Sequence, residues 1–176
     1  KGSVNVLDFT ARMEDCGADM LTVHGRTRSM LYTGKADWDM IAKVKAERKV
    51  PVIANGDVVD GESALRCLKW TGADGLMIGR ATFGDPWIFA EVKAAMAGDM
   101  AYSRPTLTER VAVALTQFRL AAEEKGEHIA CLEARKHFAW YLRGVRNASY
   151  YKKEITSLTT MADIYRVAKE IIRDLD

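Results

Sequence analysis

Residues 4 to 98 alternate between two patterns of hydrophobic residues. Apolar residues spaced three and four apart, typical of an amphipathic helix, fill the stretches between short apolar runs. Those runs lie at residues 20–23, 52–54 and 76–78. Because strands that alternate with helices form parallel sheets with right-handed crossovers, the pattern predicts three strand–helix units in one parallel sheet.

Capping residues indicate where the helices of this part begin and end. The first helical pattern covers residues 4–16. Asp60 is a favourable N-cap for a helix that ends at Gly72. The pair Asp85-Pro86 predicts another helix start, with proline at the first helical position and an end at Gly98.

The pattern after Gly98 is helical throughout. Thr106 and Glu109 have the spacing of a capping box, a second helix is predicted over 129–143, and a third begins near Thr160. We therefore predict two domains, an α/β domain at 1–98 and an all-helical domain at 99–176. Residues 99–105 form the predicted joint between them.

An internal repeat accompanies the strand pattern. Residues 17–26 and 72–80 share the order glycine, alanine, aspartate, apolar run, glycine, arginine. A barrel of repeated modules has such a repeat, and so does any chain of ordinary strand–helix units.

Composition and length narrow the class of protein. The chain has 176 residues, 48% of them hydrophobic and 28% charged, with a net charge of +2. This is typical of a soluble globular protein but short of the roughly 250 residues of a full (β/α)8 barrel. Because the first helical pattern begins almost at Lys1, we expect a piece of a longer protein. No apolar run approaches the ~20 residues of a membrane span, and no signal peptide is recognisable.

Three cysteines are dispersed along the chain at positions 16, 67 and 131. An odd number without close spacing argues against a disulfide framework and a zinc site, so a reducing cytoplasm is expected. Each cysteine lies in a helical pattern, and we predict that all three are small buried hydrophobic residues. No motif for a metal, a nucleophile or a general acid is present.

Two predicted strands run into glycine-containing polar signatures. Asn55, Gly56 and Asp57 follow the second strand, and Gly79 and Arg80 follow the third. Each signature alone fits a tight turn or a rim arginine. Together, at the ends of adjacent parallel strands, they predict a phosphate site, because backbone amides and a planar guanidinium bind anions well.

The first strand ends at His24, and Arg26 and Arg28 follow on the same loop. A single histidine is often a structural hydrogen-bonding group. The clustering of three cationic or protonatable side chains favours contact with a ligand.

A second group of cations lies in the helical domain and alternates with tryptophan and tyrosine. Its basic residues are Arg135, Lys136, Arg143, Arg146, Lys152 and Lys153. Basic groups beside aromatic rings suit a structured RNA. The alternative is a solvated surface whose aromatic rings belong to the core.

Several segments together resemble a known family. They are residues 24–28 (HGRTR), 52–57 (VIANGD), 77–80 (MIGR), 86–89 (PWIF), 134–137 (ARKH) and Trp140-Tyr141. They resemble the tRNA-dihydrouridine synthases, and among these the bacterial B-type, over nearly the whole chain. The resemblance implies a partial (β/α)8 TIM barrel, represented by its last three strand–helix units, followed by a helical tRNA-binding domain.

The resemblance also implies roles for single residues. Asn55, Gly56, Asp57, Gly79 and Arg80 would hold the phosphate of FMN, and His24 would lie near the flavin ring. In this family NADPH reduces the flavin, hydride passes to C6 of a uracil that has left its stack in tRNA, and a cysteine protonates C5. The RNA contacts would include Arg26, Arg28, Arg135, Lys136, His137, Arg143 and Arg146.

The cysteine-bearing Asn-x-x-Cys-Pro segment of the family is absent from this sequence. None of the three cysteines inherits its role, so no catalytic residue is assigned and the chain alone is expected to be inactive. Three strands would also leave two open edges, which predicts either self-association or a folded stability that comes mainly from the helical domain. Two other functions stay open: an RNA-binding module without chemistry, and another FMN or phosphate-binding barrel oxidoreductase that acts on a small molecule.

Overall fold

The computed structural model of the chain describes residues 4–99 and 101–175. The chain forms two compact units. The first contains the residues up to Ala81 together with Ile88–Tyr102, and the second contains Thr82–Trp87 together with the residues from Ser103 onward. A short segment after the third strand thus belongs to the second unit.

The first unit is a three-stranded parallel sheet with helices. Its strands β1 (Leu21–His24), β2 (Val52–Asn55) and β3 (Gly75–Met77) lie in the order β1-β2-β3. Its helices are α1 (Val6–Asp15), α2 (Trp38–Glu47), α3 (Gly61–Thr71) and α4 (Ile88–Met96). The prediction of three parallel strands is confirmed, with shifts of one residue at some strand ends.

The core of this unit lies on one face of the sheet. Val23, Val52 and Ala54 are buried there with Ile41 and Val44 of α2. Along β1 the side chains alternate between buried and exposed, as expected when one face of a strand is covered. The opposite face of β1 is open in the part of the chain that the structure describes.

The N-cap of α3 is formed as the sequence predicts. The Asp60 carboxylate accepts a hydrogen bond from the Ser63 amide at 2.7 Å, and the Ser63 hydroxyl accepts one from the Asp60 amide at 3.0 Å. The helix ends at Gly72, whose left-handed backbone has a φ of 66°.

The predicted helix start at Asp85-Pro86 is wrong, because α4 begins at Ile88. The preceding residues belong to the second unit, where Gly84 packs directly against the backbone of Trp140. The turn that allows this close approach delays the helix by two residues.

The second unit is helical, with α5 (Leu107–Lys125), α6 (Glu127–Tyr141), α7 (Ser149–Ile155) and α8 (Met161–Leu175). The capping box of Thr106 and Glu109 is confirmed. Helix α6 begins and ends two residues earlier than predicted, and the sequence patterns did not reveal α7. The core contains Phe118, Phe138 and Ile164.

The cysteines differ in burial. Cys67 and Cys131 are buried as predicted, but Cys16 is exposed. The prediction for Cys16 is wrong because this residue is the C-cap of α1, beyond the last turn that packs on the unit. Among the described residues, no helix combines the length and the apolar character that crossing a membrane requires.

Candidate functional site

The three strands end in one row of side chains. His24 pairs in register with Asn55, and Asn55 pairs with Met77. Neighbours in register on parallel strands point to the same side of a sheet, and here the preceding residues Val23 and Ala54 face the core. His24 and Met77 are therefore on the open face, where Met77 is 50% exposed. The sequence prediction placed His24 and Asn55 at the same edge of the sheet. It did not include Met77 in this row, although the two-residue period of β3 puts the Met77 side chain on the open face.

The loop after β1 packs tightly on the loop after β2. The Gly25 amide donates to the Asn55 carbonyl at 3.0 Å, and the Gly25 carbonyl accepts from the Asp37 amide at 2.6 Å. A Cβ on Gly56 would lie 2.8 Å from the Cβ of Ala36, and the φ of Gly56 is +126°. Trp38 Nε1 donates to the Gly56 carbonyl at 3.0 Å. Glycine at position 56 is therefore required by space as well as by backbone conformation.

Arg26 and Asp57 form an ion pair between these loops. Arg26 Nη2 lies 2.7 and 2.8 Å from the two carboxylate oxygens of Asp57. The same guanidinium donates to the carbonyls of Thr33 at 3.2 Å and Gly34 at 2.8 Å, and the Arg26 side chain is only 2% exposed. Its Nη1 atom is buried with no acceptor among the described residues. Arg26 was predicted to contact RNA, and the structure places its guanidinium inside the unit.

The Asp57 carboxylate is stabilised in its ionised form. Burial opposes ionisation most strongly, but the Ala36 amide, which donates at 2.7 Å, and the Arg26 guanidinium together outweigh it. Their net effect, with a contribution from Arg80, holds the pKa of Asp57 below its usual value.

Arg80 lies beside the same carboxylate but reaches solvent. Its Nη2 is 3.5 Å from Asp57 Oδ1, and its guanidinium carbon lies 4.4 Å from the ring centre of Tyr32. The Arg80 side chain is 46% exposed. A Cβ added at the neighbouring Gly79 would meet no atom within 4 Å, so the backbone there borders open space.

This edge of the sheet carries two guanidinium groups and one carboxylate. With Asp57 ionised, the cluster of Arg26, Asp57 and Arg80 has a net charge of +1. The exposed donors of Arg80 can bind an anion, because a planar guanidinium can donate hydrogen bonds to two oxygens at once. Within residues 4–99 and 101–175 no group of three His, Cys, Asp or Glu side chains could hold a metal ion.

The other predicted RNA contacts differ in accessibility. Arg28 is exposed on the loop after β1. Arg135 is half-buried, and its Nε donates to the Leu158 carbonyl at 2.9 Å. Lys136 is exposed, with its ammonium 5.1 Å from the ring centre of Trp140. Arg143 and Arg146 are exposed in the segment between α6 and α7.

His137 belongs to an aromatic and polar group on α6. Its Nδ1 lies 3.3 Å from Gln117 Nε2, and Tyr141 Oη donates to Gln117 Oε1 at 2.9 Å. The ring of Trp140 stacks on Phe83, with centroids 4.4 Å apart and planes 11° apart. Burial lowers the pKa of His137, which favours the neutral imidazole. Tyr141 and Tyr151 are core residues, whereas Tyr150 is exposed.

Comparison with known proteins gives consistent matches. A family model described as dihydrouridine synthase (Dus) matches residues 1–175. A probable tRNA-dihydrouridine synthase 1 of a Synechocystis species is 37% identical over 92% of this chain and 45% of its own length. The tRNA-dihydrouridine synthase B of Pasteurella multocida is 36% identical over 90% of this chain and 48% of its own length. That of Vibrio cholerae is 38% identical over 89% of this chain and 48% of its own length. The chain spans about half the length of these curated relatives.

Proposed function

Because the chain belongs to the dihydrouridine synthase family, we propose that it is part of an FMN-dependent tRNA-dihydrouridine synthase of the bacterial B-type. Residues 1–98 would supply the last three strand–helix units of a (β/α)8 TIM barrel, and residues 99–176 a helical tRNA-binding domain. The observation that carries the proposal is the convergence of His24, Asn55 and Arg80 at one edge of a parallel sheet.

The residues at this edge fit the phosphate of FMN. The cluster around Asp57 has a net positive charge, the Arg80 guanidinium reaches solvent, and the backbone at Gly79 borders open space. A buried N–H of Arg26 without an acceptor adds positive potential near Gly56. Arg80 and the backbone at Gly56 and Gly79 would hold the phosphate, as expected at the carboxyl ends of barrel strands. Asp57, which the family resemblance also assigned to the phosphate, has an ionised carboxylate bonded to Arg26, so it would not contact the phosphate itself.

When bound, FMN reduced by NADPH supplies the hydride for C6 of the target uracil. The residues of this chain would bind the phosphate of FMN and orient its flavin ring. His24 and Asn55 lie on the open face of the sheet, where their polar atoms are available to a flavin ring. Arg80 neutralises phosphate charge.

No residue of this chain is assigned as the proton donor. The Cys67 thiol is buried, and desolvation raises its pKa to about 11, although a hydrogen bond with Thr71 opposes the shift. Cys131 is also buried, and its pKa is raised mainly by burial. We therefore propose that the 176-residue chain does not reduce uridine by itself. Formation of dihydrouridine in tRNA by the isolated chain would overturn this.

The helical unit would bind tRNA through its exposed cations, Lys136, Arg143 and Arg146. Lys136 beside the Trp140 ring is the combination that suits a phosphate next to a base. If these cations bind tRNA while flavin is not retained, the second candidate function applies, an RNA-binding module without chemistry. The position of all three cysteines away from the strand ends favours that candidate for the isolated chain.

We also expect the isolated chain to self-associate. Among the described residues, β1 and β3 each pair only with β2, and Met77 is exposed on the open face. Unpaired strand edges promote association. A monodisperse monomer in light scattering would contradict this expectation.

The decisive experiment compares Arg80→Gln with Arg66→Gln in the protein at its natural length. Arg66 lies on the exposed surface of α3, where it pairs with Glu62, so its substitution makes the same charge change elsewhere. We expect Arg80→Gln to lose FMN during dialysis, measured by flavin absorbance, while Arg66→Gln retains it. Equal retention by both variants would refute the phosphate site.

A further inference from the structure

We propose that Arg26 is a positioning residue for the anion site, which it serves by neutralising Asp57 so that Arg80 stays available. This inference rests on the proposed phosphate site. It separates two arginines that the sequence treats alike, since Arg26 and Arg80 both follow a glycine after a strand.

Arg26 itself cannot reach a ligand in solvent. Its side chain is 2% exposed, and its Nε and Nη2 atoms are bonded to Thr33, Gly34 and Asp57. A guanidinium held in this way ties the loop after β1 to the loop after β2 and adds a buried positive charge.

Asp57 is a carboxylate beside a site for an anion. An ionised carboxylate repels a phosphate, and it attracts the same arginine that the phosphate needs. Arg26 contacts both of its oxygens at 2.7 and 2.8 Å, whereas Arg80 is 3.5 Å away. Asp57 is thus saturated by the buried arginine and the Ala36 amide, and the exposed arginine is only loosely held.

Loss of the Arg26 guanidinium would change the charge around Asp57. The cluster would change from a net charge of +1 to zero, and Asp57 would have Arg80 as its nearest cation. Arg80 would then form the close ion pair that Arg26 now forms. Phosphate affinity is expected to fall, although no group that touches the phosphate has been altered.

Comparing FMN with riboflavin isolates this effect, because riboflavin lacks the phosphate. We define the phosphate preference as the Kd for riboflavin divided by the Kd for FMN, each measured by fluorescence quenching of the protein at its natural length. Arg26→Gln is expected to lower this preference about tenfold, the effect of losing roughly one charge-assisted hydrogen bond. The double variant Arg26→Gln/Asp57→Asn is expected to return within about threefold of the wild type, since the competing charge is gone.

Rescue separates positioning from a merely structural role. If Arg26 only stabilises the fold, Arg26→Gln weakens both flavins equally and the second substitution does not restore the preference. Either result would overturn the proposal. Arg66→Gln serves as the control for charge and is expected to keep the wild-type preference.

Two further variants keep the test decisive. If the phosphate site is correct, Arg80→Gln lowers the phosphate preference. Adding Asp57→Asn to Arg80→Gln does not restore that preference. An unchanged preference in Arg80→Gln would refute the phosphate site itself, which is distinguishable from failure of the positioning role alone. If circular dichroism shows that Arg26→Gln does not fold, the single variant Asp57→Asn provides the test. A phosphate preference at or above that of the wild type supports the proposal, and a tenfold loss of the preference overturns it.

Discussion

Gly84 occupies a position in the second unit where a side chain has no room. Its φ is +71°, and a Cβ there would lie 2.3 Å from the carbonyl carbon of Trp140 and 2.5 Å from the amide nitrogen of Tyr141. These are backbone atoms of α6, so no side-chain rotation relieves the overlap. The left-handed backbone costs an L-residue about 1–2 kcal/mol, and overpacking adds about 1–3 kcal/mol. Gly84→Ala is therefore expected to lower the free energy of unfolding of the helical unit by about 3 kcal/mol.

Gly144 provides a matched control in the same unit. Its φ is +79°, but a Cβ there would meet nothing within 4 Å, so Gly144→Ala carries the backbone strain without the overlap. We expect it to cost about 1 kcal/mol. Urea unfolding followed by circular dichroism and tryptophan fluorescence measures both variants. Equal midpoints for the two alanine variants would refute the close approach of Gly84 to α6.

Asp60→Ala removes the N-cap of α3 and is expected to cost about 1 kcal/mol in urea unfolding, whereas Asp60→Asn keeps most of the cap. If Lys136 binds a tRNA phosphate, Lys136→Gln reduces the slope of log affinity against log salt by about 1, while Lys169→Gln on α8 leaves it unchanged. Hydrogen bonds from Arg173 and then Tyr151 lower the pKa of Asp174 to about 2. The ionised Asp174 therefore stabilises the fold above the unfolded pKa of about 4, and this stabilisation is lost as the pH falls towards 2. Tyr151→Phe should weaken that acid transition in thermal unfolding, and an unchanged transition would contradict the role of the contact.

The parallel sheet was predictable because its strands are short apolar runs between helical patterns, and β1 and β2 each have buried residues on one face. Val52 and Ala54 are apolar residues that the fold buries, so their pattern in the sequence marks the strand. Gly72 ends a helix in the left-handed conformation that glycine favours. Helix α7 was not predicted, since its seven residues are too few for a clear helical period. The start of α4 was misplaced because the chain before it packs at Gly84 against the backbone of Trp140, which is more than fifty positions away in sequence.

In the candidate site, too, contacts between residues distant in sequence were not predictable. The order of residues predicted which strands end side by side, and so it predicted that Asn55, Gly56 and Arg80 share an edge. It did not reveal Tyr32, which lies under the Arg80 guanidinium, or the ion pair that occupies Asp57. Both depend on how the loop from Gly25 to Asp37 folds, and that loop has no periodic pattern to interpret.

The internal repeat acquires a physical meaning from this geometry. Its two copies end in Arg26 and Arg80, which flank Asp57 after the central strand β2. The residues after Arg26 form a loop whose carbonyls at Thr33 and Gly34 enclose its guanidinium, whereas Arg80 remains half exposed. The same sequence ending therefore gives one arginine that compensates a carboxylate and one that can bind an anion. The difference arises in the loop that follows each arginine, so two equivalent positions in a repeat acquire separate roles without any change in the residues themselves.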